Sequence, residues 1–376
     1  MSSEKTKADT KEIKQYNRIK IILSVISIVT AIGFLIAVLF TGFSLRLEKW
    51  IGTFTSRVYM AFLLFGLVLG AVETAITLPL TFYGGYVVEH RFGLSNQSLG
   101  RWCLEEIKGM LVGMVLFTPL ALLFYFFLRH SPLFWWIPVG CIYFLFSVVL
   151  VQLGPVLLFP LFYRFSPMED ESLKRQLQTL SEKVGLHVSG IFSFNLSKNT
   201  KKANAAFAGL GRTRRILLAD TLLEHFTADE IEAVTGHELG HYRYGHLWKS
   251  ILFGWVFTLG GLFLSNGLFR VTLAHFGAVR GDELSVLPLL ALFLLGFGLV
   301  TAPVQNGLSR FFERQADGFV VRETNHSGPF RTALEKLAEL NKADREPHPW
   351  VEFFFYSHPS LKKRIESIQA MGGKGA

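Results

Sequence analysis

The sequence predicts a mainly α-helical, polytopic membrane protein with about six to seven spans and a small α+β domain at one face of the membrane. Half of its 376 residues are hydrophobic and only 18% are charged, whereas charged residues make up about 25% of an ordinary soluble domain. Six separate stretches reach the roughly 20 apolar residues that a helix needs to cross a bilayer. These figures exclude a disordered chain, a collagen-like chain and an ordinary water-soluble domain.

The predicted spans divide the chain into membrane regions and polar regions. They lie at about 19–43, 58–86, 107–128, 135–163, 247–269 and 284–306. Residues 1–18 form a polar tail, 19–163 hold four spans, 247–306 hold two more, and 372–376 form a short C-terminal tail. The polar segments 164–246 and 307–371 are together long enough for one small folded domain. Two Gly-x-x-x-Gly pairs, at 66/70 and 109/113, predict close packing between spans.

Positive charges near the first span predict the orientation of the chain. Lysine and arginine residues that flank membrane spans stay on the cytoplasmic side, and six of them fall within residues 5–20. We therefore expect a cytoplasmic N-terminus, and four spans return the segment 164–246 to the same side. Such flanking residues also explain the net charge of +9, so the lipid bilayer is the expected partner and nucleic acid is not.

The first polar segment is expected to contain helices and short strands. Hydrophobic periodicity indicates a helix at about 168–184 and strands at about 190–194, 205–208 and 215–219. Thr227, followed three residues later by Glu230, forms a capping box, which predicts a helix that begins there. That helix should continue through the motif H-E-L-G-H at 237–241.

The motif H-E-L-G-H places two histidines one turn apart on the same helix face. The imidazoles of His237 and His241 can then bind one metal ion, and Glu238 can act as general base toward the attacking water. A catalytic zinc site usually needs a third protein ligand. A metzincin-like spacing would place that ligand at Leu247, which cannot bind a metal, and His246 is one residue out of register.

A carboxylate on a second helix is the alternative third ligand. Glu313 and Asp317 follow the sixth span with a spacing of four residues, so both face the same way on a helix. We predict Glu313 as the third ligand of one zinc ion per chain, and Asp317 as the acceptor for the free N–H group of His237. Arg310, one turn before Glu313, is expected to lie among the groups that surround the ligands.

The C-terminal segment offers donors for the oxyanion that forms during peptide hydrolysis. His358 lies beside a proline in polar sequence, and Arg364 follows six residues later. Either side chain could stabilise the negative charge that develops on the carbonyl oxygen. The small domain is therefore predicted to be a zinc metallopeptidase at the cytosolic face, with Glu238, His358 and Arg364 as catalytic residues.

Several motifs in the same order make the chain resemble the CAAX prenyl protease 1 family of integral-membrane zinc metallopeptidases. They are EHRFGLSNQ at 89–97, LFPLFYRFSPME at 158–169, RRILLADTLL at 214–223, HELGH at 237–241, NGLSRFFERQAD at 306–317 and SHP at 357–359. The resemblance covers nearly the whole chain after the first span. One departure lies at 201–207, where K-K-A-N-A-A-F stands in place of the family's frequent S-H-S-N-A-Y-F.

The resemblance implies a fold, a ligand set and a substrate class. Membrane helices, usually described as seven, would surround a water-filled chamber with the zinc site at its cytosolic end. The implied ligands are His237, His241 and Glu313, and a strand edge at Asn204 and Ala205 would bind the substrate backbone. The implied partner is a peptide or protein cleaved near a C-terminal CAAX sequence, and a requirement for prenylation stays open.

Other functions remain as alternatives to CAAX processing. Some relatives of this kind are thought to clear misfolded membrane proteins, so a quality-control zinc protease is the nearest alternative. Six spans and the intramembrane carboxylate of Glu73 are also compatible with a transporter, and an inactive relative would serve as a scaffold. A transporter has no need of H-E-x-x-H paired with a distant E-x-x-x-D, which favours the peptidase.

Overall fold

The computed structural model describes residues 2–209, 214–324 and 326–372, and the side chains of residues 10–371 within those ranges. Six helices in these ranges are long and apolar enough to cross a membrane: Thr10–Phe40, Val58–Arg91, Leu99–His130, Trp136–Phe162, His246–Phe276 and Leu284–Thr324. All six lie where hydropathy predicts a span, which confirms the polytopic helical fold class. The predicted C-terminal tail, apart from Gly372, lies outside the described residues.

The N-terminal half of the chain is almost entirely helical. Its elements are α1 (Ser2–Phe40), α2 (Phe43–Gly52), α3 (Val58–Phe82), α4 (Val88–Arg91), α5 (Leu99–His130), α6 (Trp136–Leu153) and α7 (Phe159–Phe162). Two π-helical turns, Tyr83–Val87 and Gly154–Leu158, join α3 to α4 and α6 to α7. The second and fourth spans are therefore each built from two helices and a π turn.

The first polar segment folds as a four-stranded sheet with helices packed on it. Its elements are β1 (Phe165–Pro167), α8 (Glu171–Lys183), β2 (Gly190–Phe194), β3 (Ala205–Ala208), β4 (Arg215–Ala219), α9 (Asp220–His225) and α10 (Ala228–Arg243). The strand order is β1-β2-β4-β3, with β2 and β4 parallel and the two outer pairs antiparallel. The three predicted strands are confirmed, and Leu177, Leu218 and Leu222 are fully buried in the core beneath them.

The two membrane helices in the second half of the chain connect to the polar domain in different ways. Gly245 has a φ of +66°, a left-handed conformation that favours glycine, and it separates α10 from α11 (His246–Thr272). By contrast, α12 (Leu287–Phe319) runs without a break across the predicted boundary between 306 and 307. The chain continues with α13 (Ser327–Leu340), α14 (Pro349–Phe355) and α15 (Leu361–Gly372).

The long membrane helices close into a ring. Neighbouring contacts run from α1 to α3, α5, α6, α11 and α12, and α12 returns to α1. In the apolar windows of the first four spans, at most 11% of the residues are buried inside the protein. Most side chains of these helices therefore face either lipid or the space that the ring encloses, as expected for helices around a chamber.

The two Gly-x-x-x-Gly pairs do not lie at close helix contacts. A Cβ atom added at Gly66, Gly70, Gly109 or Gly113 would meet no atom of the described residues within 4 Å, so the prediction of close packing at these pairs is wrong. The apolar windows of the two spans that carry these pairs are only 6% and 11% buried, so most of their surface has no neighbour among the described residues. Close approach occurs instead at Gly261, where a Cβ would lie 2.6 Å from Phe297 Cδ1.

The N-terminal end of α1 lies on the same side of the protein as the polar domain. Asn17 Nδ2 donates to the carbonyl oxygen of Lys342 at 2.8 Å, and the ammonium of Lys342 pairs with Glu12. The Tyr16 hydroxyl accepts from Lys202 Nζ at 3.0 Å. These contacts tie the start of the first span to the two polar segments.

Candidate active site

Helix α10 begins with the predicted capping box. Thr227 Oγ1 accepts from the backbone N–H of Glu230 at 3.4 Å, and Glu230 Oε2 accepts from the backbone N–H of Thr227 at 2.9 Å. Lys336 on α13 also donates to Glu230 Oε2 at 2.6 Å. Burial raises the pKa of Glu230, but the Lys336 ammonium and the Thr227 N–H outweigh it and lower the pKa below its usual value. The start of the helix is thereby fixed to α13.

Two histidines on α10 and one carboxylate on α12 meet at a single point. The Nε2 atoms of His237 and His241 are 3.1 Å apart. Glu313 Oε2 lies 3.3 Å from His237 Nε2, and Glu313 Oε1 lies 3.2 Å from His241 Nε2. Donor atoms about 2.0–2.1 Å from a tetrahedral zinc ion lie about 3.3–3.4 Å from one another. The three side chains form a group that could hold a metal ion, with spacings that fit zinc.

A close contact between helices makes this meeting possible. A Cβ atom at Gly240 would lie 3.1 Å from Phe319 Cβ and 3.2 Å from the Cα of Ala316. Gly240 therefore lets α10 approach the backbone of α12 one residue before His241. The glycine in H-E-L-G-H thus has a packing role beside the metal-binding group.

Asp317 lies behind the group, one turn after Glu313. Its Oδ1 atom is 2.9 Å from His237 Nδ1, and the side chain is 1% exposed. Burial lowers the pKa of His237, but the carboxylates of Asp317 and Glu313 outweigh it and raise the pKa to about 9. Arg364 holds the other side of Asp317, with Nε 2.9 Å from Oδ2 and Nη2 2.6 Å from Oδ1.

His358 reaches the group from the C-terminal segment. Its Nδ1 atom lies 3.0 Å from Glu313 Oε2, and 62% of the side chain is exposed. Arg310 holds the backbone before it, because Nη1 donates to the carbonyl oxygens of Glu352 at 2.9 Å and Tyr356 at 2.6 Å. Arg310 therefore supports the segment that carries His358. Within the described residues, it forms no hydrogen bond with His237, His241 or Glu313.

A cavity of about 380 Å³ opens beside the group. It is lined by site residues from several elements, namely Asn204, Ala205, His237, Glu238, Glu313, His358 and Arg364. Its apolar wall includes Val234, Phe330, Leu334 and Leu361. Ala205 starts β3, which pairs with β4 and is the edge strand of the sheet among the residues that the structure describes. The cavity thus combines a metal-binding group, a neighbouring glutamate and a strand edge.

Asn341 and His246 are polar residues of the site that the sequence does not predict. Asn341 lines the cavity and clamps the segment before β3, because Oδ1 accepts from the N–H of Ala203 at 2.9 Å and Nδ2 donates to its carbonyl oxygen at 3.2 Å. His246 contacts His241. The only sequence signal for His246 is its position five residues after the second histidine of the motif.

The fold and the site together define a membrane-embedded metallopeptidase. The profile described as "Peptidase family M48" matches residues 167–372, and the profile described as "CAAX prenyl protease N-terminal, five membrane helices" matches residues 1–164. The chain therefore belongs to peptidase family M48 and has the N-terminal membrane region of CAAX prenyl proteases. Membership confirms a peptide-bond hydrolase with a metal cofactor and a peptide substrate, in a multi-pass protein that contacts lipid.

Similar proteins come from bacteria and eukaryotes. An "Uncharacterized metalloprotease YhfN" of Bacillus subtilis is 27% identical over 95% of this chain and 84% of its own length. A "CAAX prenyl protease 1 homolog" of Arabidopsis thaliana is 31% identical over 77% of this chain and 69% of its own length. The crystal structure of S. mikatae Ste24p has the same fold, with a TM-score of 0.87, 24% identity and coverage of 96% of this chain and 89% of that one.

Proposed function

We propose that this chain is a zinc endopeptidase whose ion is held by His237, His241 and Glu313. The spacing of their donor atoms, 3.1–3.3 Å, is the observation that carries the proposal. Two imidazoles and one carboxylate also form a ligand set typical of catalytic zinc, which leaves a position open for chemistry. One zinc ion per chain is expected.

The surrounding side chains have distinct proposed roles in hydrolysis. A bound zinc ion would lower the pKa of water and polarise the carbonyl of the scissile bond. Glu238, adjacent to His237 and at the cavity wall, accepts the proton of the attacking water as general base. His358 is partly exposed and donates an N–H toward the developing oxyanion.

Asp317 and Arg364 are proposed to position the first histidine. Asp317 accepts from His237 Nδ1, which directs the lone pair of Nε2 toward the ion. Two donor groups of Arg364 are engaged by Asp317, so this guanidinium supports the buried carboxylate in the proposed mechanism. Arg310 is proposed to position His358 through the backbone that it holds.

The substrate is proposed to bind as an added strand along the edge of β3. An extended peptide gains main-chain hydrogen bonds from an unpaired strand edge, and Asn204 and Ala205 form that edge at the cavity. The apolar wall then receives a substrate side chain. Because relatives are named CAAX prenyl proteases, we propose a C-terminal CAAX sequence as the substrate, with the prenyl group in the chamber.

We also propose that the N-terminus and the zinc site face the cytoplasm. The contacts of Asn17 and Tyr16 with the polar segments support a common side for both. The six basic residues within 5–20 support the cytoplasmic assignment of that side. This assignment is tested in vesicles of known orientation, by measuring whether an added protease reaches the N-terminus and the C-terminal segment from the same side.

The proposed function is tested with purified protein and a mixture of unmodified and farnesylated peptides, analysed by mass spectrometry. We expect cleavage that disappears after chelation and in the variant Glu238→Gln, while metal analysis finds one zinc per chain in both proteins. Preference for farnesylated CAAX peptides supports CAAX processing, whereas preference for unmodified apolar segments supports membrane-protein quality control. A metal-loaded wild-type protein that cleaves no peptide contradicts the proposed endopeptidase.

A quality-control protease is the second candidate function, because residues beside the proposed substrate edge differ from those frequent in CAAX prenyl proteases. The segment before the substrate strand departs from the family motif, and Lys202 in that segment pairs with Glu89 at 2.9 Å. This lysine therefore takes part in a polar cluster with the first two spans, next to the proposed substrate edge. The peptide preference described above separates the two functions.

A further inference from the structure

We propose that His246 is a positioning residue of the metal site, which sets the tautomer and the orientation of His241 through a chain of hydrogen bonds that begins at Gln315. This inference rests on the proposed function, in which His241 is a metal ligand. His246 itself is 3% exposed and lies on the first turn of α11. It is too far along the chain to complete the H-E-x-x-H motif, and the structure assigns it a different task.

Three side chains form a continuous chain of short contacts. Gln315 Oε1 lies 2.9 Å from His246 Nε2. On the opposite edge of the same ring, His246 Nδ1 lies 3.0 Å from His241 Nδ1. The far nitrogen of His241, Nε2, is the atom that faces His237 and Glu313.

The side-chain amide of Gln315 sets the direction of the hydrogen bonds that connect it to His246 and His241. In this structure the amide oxygen of Gln315 faces His246 Nε2. An amide oxygen only accepts, so in this orientation His246 Nε2 carries the proton that it donates to Gln315. A neutral imidazole with its proton on Nε2 has a lone pair on Nδ1, which accepts from His241 Nδ1–H. His241 is then left with a lone pair on Nε2, the atom that a metal ion requires.

Packing holds the imidazole of His246 in the orientation that this chain needs. Its ring stacks on Phe312, with centroids 4.4 Å apart and an angle of 13° between the planes. Phe312 and Gln315 flank Glu313 on α12. Helix α12 therefore supplies the proposed ligand Glu313. It also supplies Phe312 and Gln315, the two residues that orient His246.

The two histidine ligands thus have different partners. His237 is held by the carboxylate of Asp317, and His241 is held by the neutral imidazole of His246. A carboxylate partner increases the basicity of a histidine ligand. A neutral partner fixes the ring of His241 without adding a further negative charge beside the proposed ligands.

The test compares His246→Asn with His246→Leu in the full-length protein. Asparagine and leucine have similar size, and both substitutions remove the stacked ring. Asparagine Oδ1 lies near the position of the histidine Nδ1 and can accept from His241, whereas leucine cannot. Zinc affinity is measured by competition with a chromophoric chelator. We expect His246→Leu to weaken it by about 10–100-fold, the usual effect of losing a hydrogen-bond partner of a ligand, and His246→Asn to weaken it much less.

A spectroscopic measurement provides a readout that does not depend on activity. The visible absorption of the cobalt-loaded protein reports the geometry around the ion, and we expect it to change in His246→Leu and to be preserved in His246→Asn. The pair Gln315→Glu and Gln315→Met makes the same comparison one step further away, because only glutamate keeps the acceptor. This second pair decides the question where His246→Leu fails to fold.

The possible results separate this inference from the proposed function. Equal loss of affinity in the Asn and Leu variants would indicate packing and overturn the inference, as would wild-type affinity and an unchanged cobalt spectrum in both. A wild-type protein that takes up no metal would overturn the proposed function and this assignment with it. A wild-type protein that binds zinc, with loss only in the variants that lack an acceptor, supports both.

Discussion

Replacing Gly240 by alanine tests whether the distance between two helices controls the metal site. The new Cβ would lie 3.1 Å from Phe319 Cβ and 3.2 Å from both Phe319 Cδ1 and the Cα of Ala316. Carbon atoms that are not bonded normally approach to about 3.5–4.0 Å. Helices α10 and α12 must therefore separate by about half an ångström, because one of the three contacts is with backbone.

This displacement affects the metal site more strongly than it affects the fold. Overpacking costs about 1–3 kcal/mol, and alanine returns about 1 kcal/mol through its higher helix propensity, so the net loss of stability is small. His241 Nε2 and Glu313 Oε1 now lie 3.2 Å apart and would lie about 3.7 Å apart, whereas metal–ligand distances tolerate about 0.2 Å. We expect zinc affinity to fall by at least about tenfold, or about 1.4 kcal/mol.

The measurement is zinc affinity by chelator competition, alongside the thermal midpoint of the metal-free protein. Gly254→Ala on α11 is the matched control, because its Cβ would meet no atom within 4 Å in the part of the chain that the structure describes. The control should bind zinc as the wild type does. Wild-type zinc affinity in Gly240→Ala, with an unchanged thermal midpoint, would refute the reasoning that this glycine sets the separation of the ligands.

Three further predictions follow from the site. Glu313→Ala should lose the metal, while Glu238→Ala should keep it and lose about 10²–10⁴-fold in turnover; equal metal content in the two variants removes Glu313 from the ligand set. Asn341→Leu breaks two hydrogen bonds to Ala203 and should raise KM by about 5–30-fold, or about 1–2 kcal/mol, with kcat little changed; an unaltered KM argues against the clamp. The pKa of His237 is raised from 6.5 to about 9, so the stability that this proton contributes in the metal-free protein is complete below pH 6.5 and is lost as the pH rises toward 9. Thermal unfolding should show this decline, and a flat profile contradicts it, whereas zinc affinity should increase over the same range because binding displaces the proton.

Features encoded in short stretches of sequence could be predicted well. The capping box at Thr227 and the strands at 190–194, 205–208 and 215–219 depend on neighbouring residues, and the spans depend on local hydropathy. The meeting of Glu313 with the two histidines could be anticipated because a zinc site requires a third ligand. In each of these cases, either local chemistry or the coordination chemistry of one ion restricts the arrangement.

Features that depend on which surfaces meet could not be predicted. The polarity of the sequence changes after residue 306, yet α12 continues to Phe319, because hydropathy reports the surroundings of a helix and not its end. The pairing of Arg364 with Asp317 and the contact of His246 with His241 join residues whose separation along the chain carries no signal. The glycines at 66/70 and 109/113 have the right spacing for helix contact, but a Cβ atom added at any of them would meet no atom of the described residues within 4 Å.

The continuity of α12 links the bilayer mechanically to the carboxylate that it carries. From Leu287 to Glu313 the helix extends for about 39 Å at 1.5 Å per residue, and Pro303 is the only proline inside it after its first turn. If the helix is treated as a rigid rod that pivots at Leu287, a change in tilt of about 3° moves Glu313 by about 2 Å. Spans change tilt when bilayer thickness changes. Lipids of different chain length should therefore shift the position of this carboxylate relative to α10, so membrane thickness is a physical variable of the site.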